Sequence, residues 1–437
     1  MNLPLRNLTL AIAAALALSA CGKKDEAPMG AAGVTVVKIG QASPLTGPQA
    51  HLGKDNENGT RLALEDANAE GVEIGGAKIK FELVSEDDQA DPKQGTLVAQ
   101  KLVDGRVAGV IGHLNSGTTI PASRIYADAG MPQVSPSATN PKYTQQGFKT
   151  AFRVMANDVQ QGRVLGDYAV GKLSAKAVAI IDDRTAYGQG LADEFEKAVK
   201  AAGGTIVAHE FSNDKATDFT AILTKVKSKS PDMVFYGGMD AQAGPMARQI
   251  KALGVKAPML FGDGGCTTEF SKLAGDAAQG NYCSLPGVPL EKMAGGAGFK
   301  TRFKARFNTD IQLYAPYAYD AARVMIDAMK RANSTDPSRY LPLLTKTDYQ
   351  GVTGRIGFDA RGDLQNGAIT LYQSRDGQWQ ALETVGGGDF SAHGLAASLD
   401  KAADGGNASG AKPADPKAMA MDALKATEDA VKAPGQK

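Results

Sequence analysis

The fold class is decided by residues 177–211, which have the sequence AVAIIDDRTAYGQGLADEFEKAVKAAGGTIVAHEF. The β-rich run at 177–181 predicts a strand, residues 189–202 predict an amphipathic helix, and residues 205–211 predict a second strand. Two strands joined by a helix of this length are typical of a βαβ unit, in which the strands lie parallel. The stretch therefore predicts an α/β fold built on parallel sheets.

The same alternation continues in both directions along the chain. Toward the C-terminus, further strands are predicted at 233–236 and 258–262, with helices at 219–228 and 242–253. Toward the N-terminus, strands are predicted at 34–39, 78–84, 107–111 and 132–135, with helices at 58–69, from Asp91-Pro92 onward, and at 121–129. Two consecutive sets of βαβ units predict two doubly wound, Rossmann-like lobes.

Length and charge restrict the class of protein. The chain has 437 residues, enough for two domains of ordinary size with additional segments. Hydrophobic residues make up 43% and charged residues 22%, which is typical of a globular protein. The formal net charge is +1, so there is no electrostatic reason to expect nucleic acid as a partner.

Residues 1–20 are predicted to be a signal peptide. Arg6 supplies a basic region, and the apolar run Leu8–Ala20 is 13 residues long, whereas a membrane span needs about 20. The run ends in Leu18-Ser19-Ala20-Cys21, which resembles the bacterial lipobox, in which the cysteine is lipidated and becomes the mature N-terminus. The alternative is plain cleavage after Ala20, with Cys21 incidental. Residues 21–35 are predicted to be a flexible tether.

The other two cysteines are Cys266 and Cys283. Because an exported chain is oxidised, they are predicted to form a disulfide, and a loop of this length would contribute about 3 kcal/mol in the chain-entropy model. The alternative is a pair of buried free thiols. No metal is expected, because none of the four histidines is near this pair in sequence.

The C-terminal segment 385–437 is rich in Gly, Ala, Lys, Pro and Asp and has few residues that could form a core. It is predicted to be a low-complexity, disordered tail, and its sequence indicates no function.

Four loops follow predicted strands, where open α/β sheets bind ligands. The first, 112–121, carries Ser116 and Thr118 before a helix; the second, 135–141, carries Ser137 and Thr139 between two prolines. Hydroxyl and backbone N–H groups in these loops can hold a carboxylate, but Ser and Thr are also ordinary caps and turn residues.

The other two loops add an aromatic ring and an acid. Tyr187 lies in loop 182–190, where its ring could face a cleft. Asp263 lies in a glycine-rich loop, 262–266, where the backbone permits close approach and the carboxylate could bind an ammonium group. The alternative for Asp263 is an acid in a simple turn.

Motifs typical of enzymes are missing. The sequence has no Gly-x-Ser-x-Gly, His-Glu-x-x-His or phosphate-binding Walker motif. The histidines, at positions 51, 113, 209 and 393, form no evident acid–base pair. We therefore expect a binding protein that needs no cofactor rather than an enzyme.

From about residue 36 to about residue 382 the sequence closely resembles the periplasmic leucine/isoleucine/valine-binding proteins of bacterial ABC transporters. The matching motifs are Gly40-Gln-Ala-Ser-Pro-Leu-Thr-Gly47, Asp87-Asp-Gln-Ala-Asp-Pro-Lys-Gln94, Val110-Ile-Gly-His-Leu114, Ser123-Arg-Ile-Tyr126, Tyr187-Gly-Gln-Gly-Leu-Ala192, Tyr236-Gly-Gly238 and Phe358-Asp-Ala-Arg-Gly-Asp363. The resemblance implies a type I periplasmic binding fold, with two lobes joined by a three-stranded hinge. The implied lobes are 36–157 with 287–360, and 158–286 with 361–384.

The resemblance also implies roles for individual residues. Ser116 and Thr139 match the hydroxyls that hold the ligand carboxylate, aided by backbone groups near Ser137 and Thr118. Asp263 matches the acid that takes the α-ammonium group, which is Glu in the branched-chain receptors. The remaining positions implied to contact the ligand are Tyr187, Tyr314, Leu52 and Met239.

Two of these positions depart from the family pattern. Leu52 matches a first-lobe aromatic, and Met239 replaces another aromatic. Together they predict a softer, apolar-lined pocket, from which strict selectivity for leucine does not follow.

The expected function is therefore that of an extracytoplasmic substrate-binding protein of an ABC transporter. It would capture a branched-chain or related amino acid by hinge closure and deliver it to a membrane permease and ATPase complex. It would be located in the periplasm or cell envelope and anchored to a membrane through lipid on Cys21. The alternatives are a receptor for an amide, urea or an aromatic acid, and a ligand sensor that is not coupled to transport.

Overall fold

The structure is a computed structural model, and it describes residues 29–30 and 33–387. The predicted signal peptide, Cys21, most of the predicted tether and the predicted tail from residue 388 onward lie outside the described residues.

The first sheet has seven strands, and most of them are parallel. Its strands are β1 Met29–Gly30, β2 Val34–Ser43, β3 Glu73–Ile74, β4 Ala77–Asp87, β5 Val110–Gly112, β6 Gln133–Ser135 and β7 Ala151–Arg153. The order is β3-β4-β2-β5-β6-β7, with β1 also paired to β2, and only β1 and β3 run antiparallel to their neighbours. Because β1 and the first residues of β2 pair through their backbones, the prediction of an unstructured tether through residue 35 was wrong at its C-terminal end.

The second sheet also has seven strands. They are β8 Ala177–Asp182, β9 Thr205–Phe211, β10 Met233–Gly237, β11 Met259–Phe261, β12 Tyr282–Pro286, β15 Ala368–Arg375 and β16 Gln378–Gly386. The order is β16-β15-β12-β11-β10-β8-β9, with β8 to β12 parallel and the last two strands antiparallel. Between β12 and β15 in sequence, β13 Tyr349–Gln350 and β14 Arg355–Ile356 form a separate two-stranded sheet.

Helices cover both sheets. They are α1 Ala50–Ala69, α2 Pro92–Asp104, α3 Ser116–Asp128, α4 Lys142–Gln145, α5 Asp158–Gly171, α6 Ala186–Ala201, α7 Thr220–Ser228, α8 Asp240–Ala252, α9 Thr268–Ala274, α10 Gly296–Phe307, α11 Ala315–Ala332 and α12 Pro337–Leu344. Short 3-10 helices lie at Asp263–Gly265, Gly275–Ala278 and Leu290–Lys292. None of the described helices is long and apolar enough to cross a membrane.

The chain passes between the two sheets three times, after β7, after β12 and before β15. After the second passage, α10 and α11 pack against α1 beside the first sheet, where ion pairs Arg306–Glu65 (2.7 Å) and Arg323–Glu70 (2.9 Å) join them. We call β1–β7, α1–α4 and α10–α12 the first lobe. The second lobe is β8–β12, β15, β16 and α5–α9.

The predicted α/β class with two doubly wound lobes is confirmed, and the core explains it. All five residues of β10 are buried, as are all but the first residue of β8, which is the pattern of a strand covered by helices on both faces. Phe195 of α6 stacks on Phe235 of β10 with 4.0 Å between ring centroids. Burying a side chain of this kind contributes about 1.5–3 kcal/mol to the stability of the fold. The strands therefore remain apolar, and the polar side chains that could bind a ligand lie at their ends.

Several helix boundaries differ from the sequence-based expectation. Asp91 caps α2 as predicted, accepting the backbone N–H groups of Lys93 and Gln94 at 2.9 Å. However, α3 begins at Ser116 rather than at Pro121. A proline in the second turn removes one backbone hydrogen bond, and the helix still forms because Thr118 and Thr119 already donate to the carbonyl of Asn115.

Candidate functional site

The two lobes meet around a small enclosed cavity. Its lining is Leu114, Asn115, Ser116, Ser137 and Tyr314 from the first lobe, and Tyr187, Met239 and Asp263 from the second. The cavity volume is about 10 Å³. By the same measure, one water molecule needs about 10–15 Å³. A leucine-sized ligand therefore requires the lobes to separate and close again around it.

Asp263 is the acidic centre of this cavity. It lies in the 3-10 helix that follows β11 and is 1% exposed. The Tyr187 hydroxyl donates to Oδ1 at 3.0 Å, and the Tyr314 hydroxyl donates to Oδ2 at 2.6 Å. Burial raises the pKa of Asp263, and the two tyrosine hydroxyls oppose that rise because they stabilise its charged form. The carboxylate is thus a buried acceptor that takes one hydrogen bond from a tyrosine of each lobe.

Tyr314 is held in place by Asp55 of α1. The Asp55 carboxylate accepts the backbone N–H groups of four consecutive residues, 312–315, at 2.7–3.0 Å. These groups begin α11, where backbone donors have no partner within the helix, so the carboxylate caps it. Asp55 therefore fixes the position from which Tyr314 reaches across to the second lobe.

Gly264 explains how closely the second-lobe residues pack around Asp263. A Cβ atom at this position would lie 2.7 Å from the Met239 sulfur and 2.8 Å from Cε1 of Tyr187. Both distances are shorter than van der Waals contact, so only glycine permits this arrangement without displacement. Met239 precedes α8 directly and is 4% exposed.

The serine side chains of the first lobe are also constrained. Ser116 is the first residue of α3, and its hydroxyl accepts the backbone N–H of Asn140 at 3.2 Å. The Ser137 hydroxyl accepts from the Asn56 amide at 3.1 Å. Both serines keep donor capacity for a further partner, because a hydroxyl can donate as well as accept.

Thr139 is fully buried beside Asp158 rather than on the cavity surface. Within the described part of the chain, its Oγ1 has no partner at hydrogen-bonding geometry, although the hydroxyl is close enough to favour the charged form of Asp158. Asp158 itself begins α5, and neither of its carboxylate oxygens has a hydrogen-bond partner among the described residues. Burial raises its pKa to about 8, and the charge of nearby Asp263 adds to the rise.

Besides Thr139, two other predicted residues, Thr118 and Leu52, do not line the cavity. Thr118 is turned toward α2, where its side chain packs against Gly95, and its N–H and Oγ1 both donate to the carbonyl of Asn115. Two residues along a helix rotate a side chain by about 200°, so Thr118 faces away from the direction of Ser116. Leu52 is fully buried in the core of the first lobe.

Sequence reasoning missed the most deeply buried cation near the site. Arg153, at the end of β7, is fully buried and donates to the carbonyls of Ala138 and Asn140 at 2.8 and 3.0 Å. It also pairs with Asp363, which lies just before β15. Arg153 therefore fixes the loop that carries Thr139 and ties the first passage between the lobes to the third. Asp363 is the final residue of the motif 358–363, so that motif is the sequence signal for this ion pair.

Cys266 and Cys283 are bonded through their sulfur atoms, with their Cα atoms 5.5 Å apart, a separation usual for a disulfide. Within the described ranges, no cluster of His, Cys, Asp and Glu is arranged to hold a metal ion.

Comparison with known proteins places this cavity in context. The family model of a periplasmic binding protein matches residues 36–378. The "Leu/Ile/Val-binding protein homolog 1" of Brucella abortus is 36% identical over 351 residues, which cover 79% of this chain and 93% of the relative. The "Leucine-, isoleucine-, valine-, threonine-, and alanine-binding protein" of Pseudomonas aeruginosa is 34% identical, covering 77% of this chain and 89% of that relative.

A solved structure is similar over the same region. The branched-chain amino acid transporter substrate binding protein LivJ from Streptococcus pneumoniae, in complex with isoleucine, superposes with a TM-score of 0.73. Its sequence is 30% identical, and the match covers 80% of this chain and all of that one.

Proposed function

This chain belongs to the periplasmic binding protein family, and we propose that it is the substrate-binding protein of an ABC transporter for a branched-chain or related α-amino acid. The relatives named for leucine, isoleucine and valine support this class of ligand. The proposed partners are a membrane permease and its ATPase.

A single observation carries the proposal for an amino acid. A buried carboxylate, Asp263 on the second lobe, shares a cavity with the hydroxyl of Ser116 on the first. An α-amino acid carries an ammonium group and a carboxylate on the same carbon, so it offers one charged group to each lobe. The ammonium pairs with Asp263, and the carboxylate meets Ser116 and the unpaired N–H groups at the start of α3, where the helix dipole favours an anion.

The proposed mechanism is closure around the ligand. A ligand that contacts both lobes binds the closed form more tightly than the open one. The larger the difference between these two affinities, the further the ligand shifts the population toward the closed form. The closed form is then the shape presented to the permease. No covalent step is required, and the three passages between the lobes supply the hinge.

Charge balance supports a cationic group opposite Asp263. Burial raises the pKa of this acid, so its charged form is the costly one unless a positive partner arrives. The hydroxyls of Tyr187 and Tyr314 donate to the carboxylate but bring no charge. An ammonium group adds the missing charge, whereas a neutral amide or an aromatic acid does not.

The remaining sequence-based expectations complete the proposal. The predicted signal peptide and the family both support export to the periplasm or cell envelope. We also propose lipid anchoring through Cys21 and a Cys266–Cys283 disulfide in the exported protein. Mass spectrometry of the mature protein tests both, through the added acyl mass and through the mass of the two hydrogen atoms gained when a disulfide is reduced.

The experiment that tests the proposed function is identification of the ligand. Purified protein is denatured and the released small molecules are analysed by mass spectrometry, followed by a thermal-shift screen. The screen includes the standard amino acids, urea, a simple amide and benzoate, because binding to the folded form raises its unfolding temperature. Stabilisation by leucine, isoleucine or valine supports the proposal. Stabilisation only by a compound without an α-ammonium group overturns it.

A further inference from the structure

A second contact joins the lobes beside the cavity, between His51 and Asp240. His51 lies in the first turn of α1 in the first lobe, and Asp240 is the first residue of α8 in the second. The distance from Nε2 of His51 to Oδ2 of Asp240 is 2.8 Å. The His51 side chain is 23% exposed, whereas that of Asp240 is fully buried. Asp240 directly follows Met239, which lines the cavity, so the contact lies next to the proposed binding site.

The surroundings of the pair favour a protonated imidazole. Asp240 is oriented by the Thr267 hydroxyl, which donates to the same Oδ2 atom at 2.6 Å. Glu269 adds a second negative charge, and the carbonyl of Pro48 adds an acceptor on the His51 ring. On α1 itself the neighbouring charged side chains have other partners, since Lys54 pairs with Glu57 and Asp55 caps α11.

We propose that His51 and Asp240 form a pH-dependent latch that stabilises the closed form of the protein. The proposal rests on the proposed function, because it assumes that closure accompanies ligand capture. Both residues are positioning residues, since they join the lobes and neither is among the residues that line the cavity.

The direction of the pH effect follows from linkage. Burial lowers the pKa of His51, but the Asp240 carboxylate, the charge of Glu269 and the Pro48 carbonyl together more than offset this, and in the closed form the pKa is raised above 6.5. Opening the lobes separates His51 from Asp240, and the pKa returns toward its ordinary value. The latch therefore stabilises closure fully below about pH 6.5, and this contribution is lost as the pH rises through the raised value.

Two other described histidines lack this geometry. His209 lies between Asp182 and Glu196, at 2.9 and 2.8 Å, and its pKa is also raised, but all three residues belong to the second lobe. His113 contacts Asp88 and Tyr126 within the first lobe. Neither set of contacts joins the two lobes, so His209 provides a matched control.

The test measures affinity for L-leucine by titration calorimetry at about pH 6 and about pH 8.5. The wild-type protein is expected to bind roughly threefold to tenfold more weakly at the higher pH, the range for a partly desolvated ion pair. His51→Gln keeps a side-chain donor but does not titrate, so it should show the weaker affinity at both pH values. Asp240→Asn should do the same, and His209→Gln should retain the wild-type pH dependence.

A pH-independent affinity of the wild-type protein, or a His51→Gln variant that keeps the full pH dependence, overturns the latch. A second arm does not depend on the ligand: small-angle scattering of the ligand-free protein should give a smaller radius of gyration at about pH 6 than at about pH 8.5, and His51→Gln should abolish the difference. If leucine does not bind at all, the proposed function fails for leucine, and the scattering result alone decides on the latch. Equal radii for the wild-type protein at the two pH values would then overturn it.

Discussion

The Tyr314 hydroxyl of the first lobe donates a hydrogen bond to Asp263 of the second lobe, with 2.6 Å between the two oxygen atoms. This bond crosses the cleft and ends on the residue proposed to bind the ligand ammonium. Asp55 fixes Tyr314 through four backbone N–H groups, so the contact is preorganised on its first-lobe side. The closed arrangement of the lobes therefore directly engages the residue proposed to bind the ligand.

Replacing Tyr314 by Phe removes this bond and keeps the ring. We expect L-leucine to bind roughly tenfold more weakly, because a hydrogen bond to a charged group contributes about 1.5–3 kcal/mol. Titration calorimetry measures the effect. The matched control is Tyr319→Phe in α11, whose hydroxyl donates to Asp66 at 2.8 Å within the first lobe. Equal losses of affinity in the two variants would mean that Tyr314 has no special part in closure.

Thr139 lies beside the proposed site, whereas Thr118 faces away from it, so their replacement should have different effects. Thr139→Val should weaken leucine binding, because it removes the hydroxyl that lies next to Asp158 in the loop held by Arg153. Thr118→Val should leave the affinity unchanged and lower only the unfolding temperature, since Thr118 packs on Gly95 and donates to Asn115. Calorimetry combined with thermal unfolding separates the two effects. A larger affinity loss for Thr118→Val would contradict the placement of both residues.

Asp158 should make the protein less stable as the pH rises. Its pKa is about 8 in the folded protein against 3.8 ordinarily, so the folded state keeps a proton that the unfolded state loses. The stability contribution is present below about pH 4 and is lost as the pH rises through about 8. Asp158→Asn does not titrate, and it should unfold at least about 3 °C above the wild-type protein at pH 8.5, with little difference near pH 4.

A suitable comparison for that variant is Asp320→Asn. Asp320 is also buried, with a pKa raised to about 6, but it accepts the backbone N–H groups of Val352 and Thr353. Its replacement should destabilise the protein at every pH, because Asn places donors where acceptors are needed. Identical pH profiles for wild-type and Asp158→Asn would show that Asp158 does not carry the predicted proton.

Much of the fold followed from local patterns. The alternation of apolar strands and amphipathic helices in 177–262 predicted the parallel second sheet, and Asp91 was correctly predicted to cap α2. Helix starts were less predictable where a proline lies inside the helix. Pro121 was interpreted as a first helical residue, although α3 begins five residues earlier because bonds to the Asn115 carbonyl suffice to start it.

Site residues could be predicted where the ends of strands bring loops together. They could not be predicted where the direction of a side chain decides whether the residue reaches the cavity. Ser116, Ser137, Tyr187, Asp263 and Tyr314 all line the cavity. Thr118 does not, because the turn of α3 points it toward α2. No local sequence pattern indicates the roles of Asp55, Arg153 and Asp158, because these roles depend on partners distant in sequence.

The central claim is that Asp263 binds the ammonium group of an α-amino acid between closing lobes. Titration calorimetry of L-leucine into the wild-type protein and the Asp263→Ala variant tests it most directly, with Asp276→Ala, an exposed aspartate, as the control. We expect one-to-one binding to the wild-type protein and to the control, and a loss of at least about thirtyfold in Asp263→Ala, since removing one partner of a buried charge pair costs about 2–5 kcal/mol. Unchanged affinity in Asp263→Ala would contradict the account.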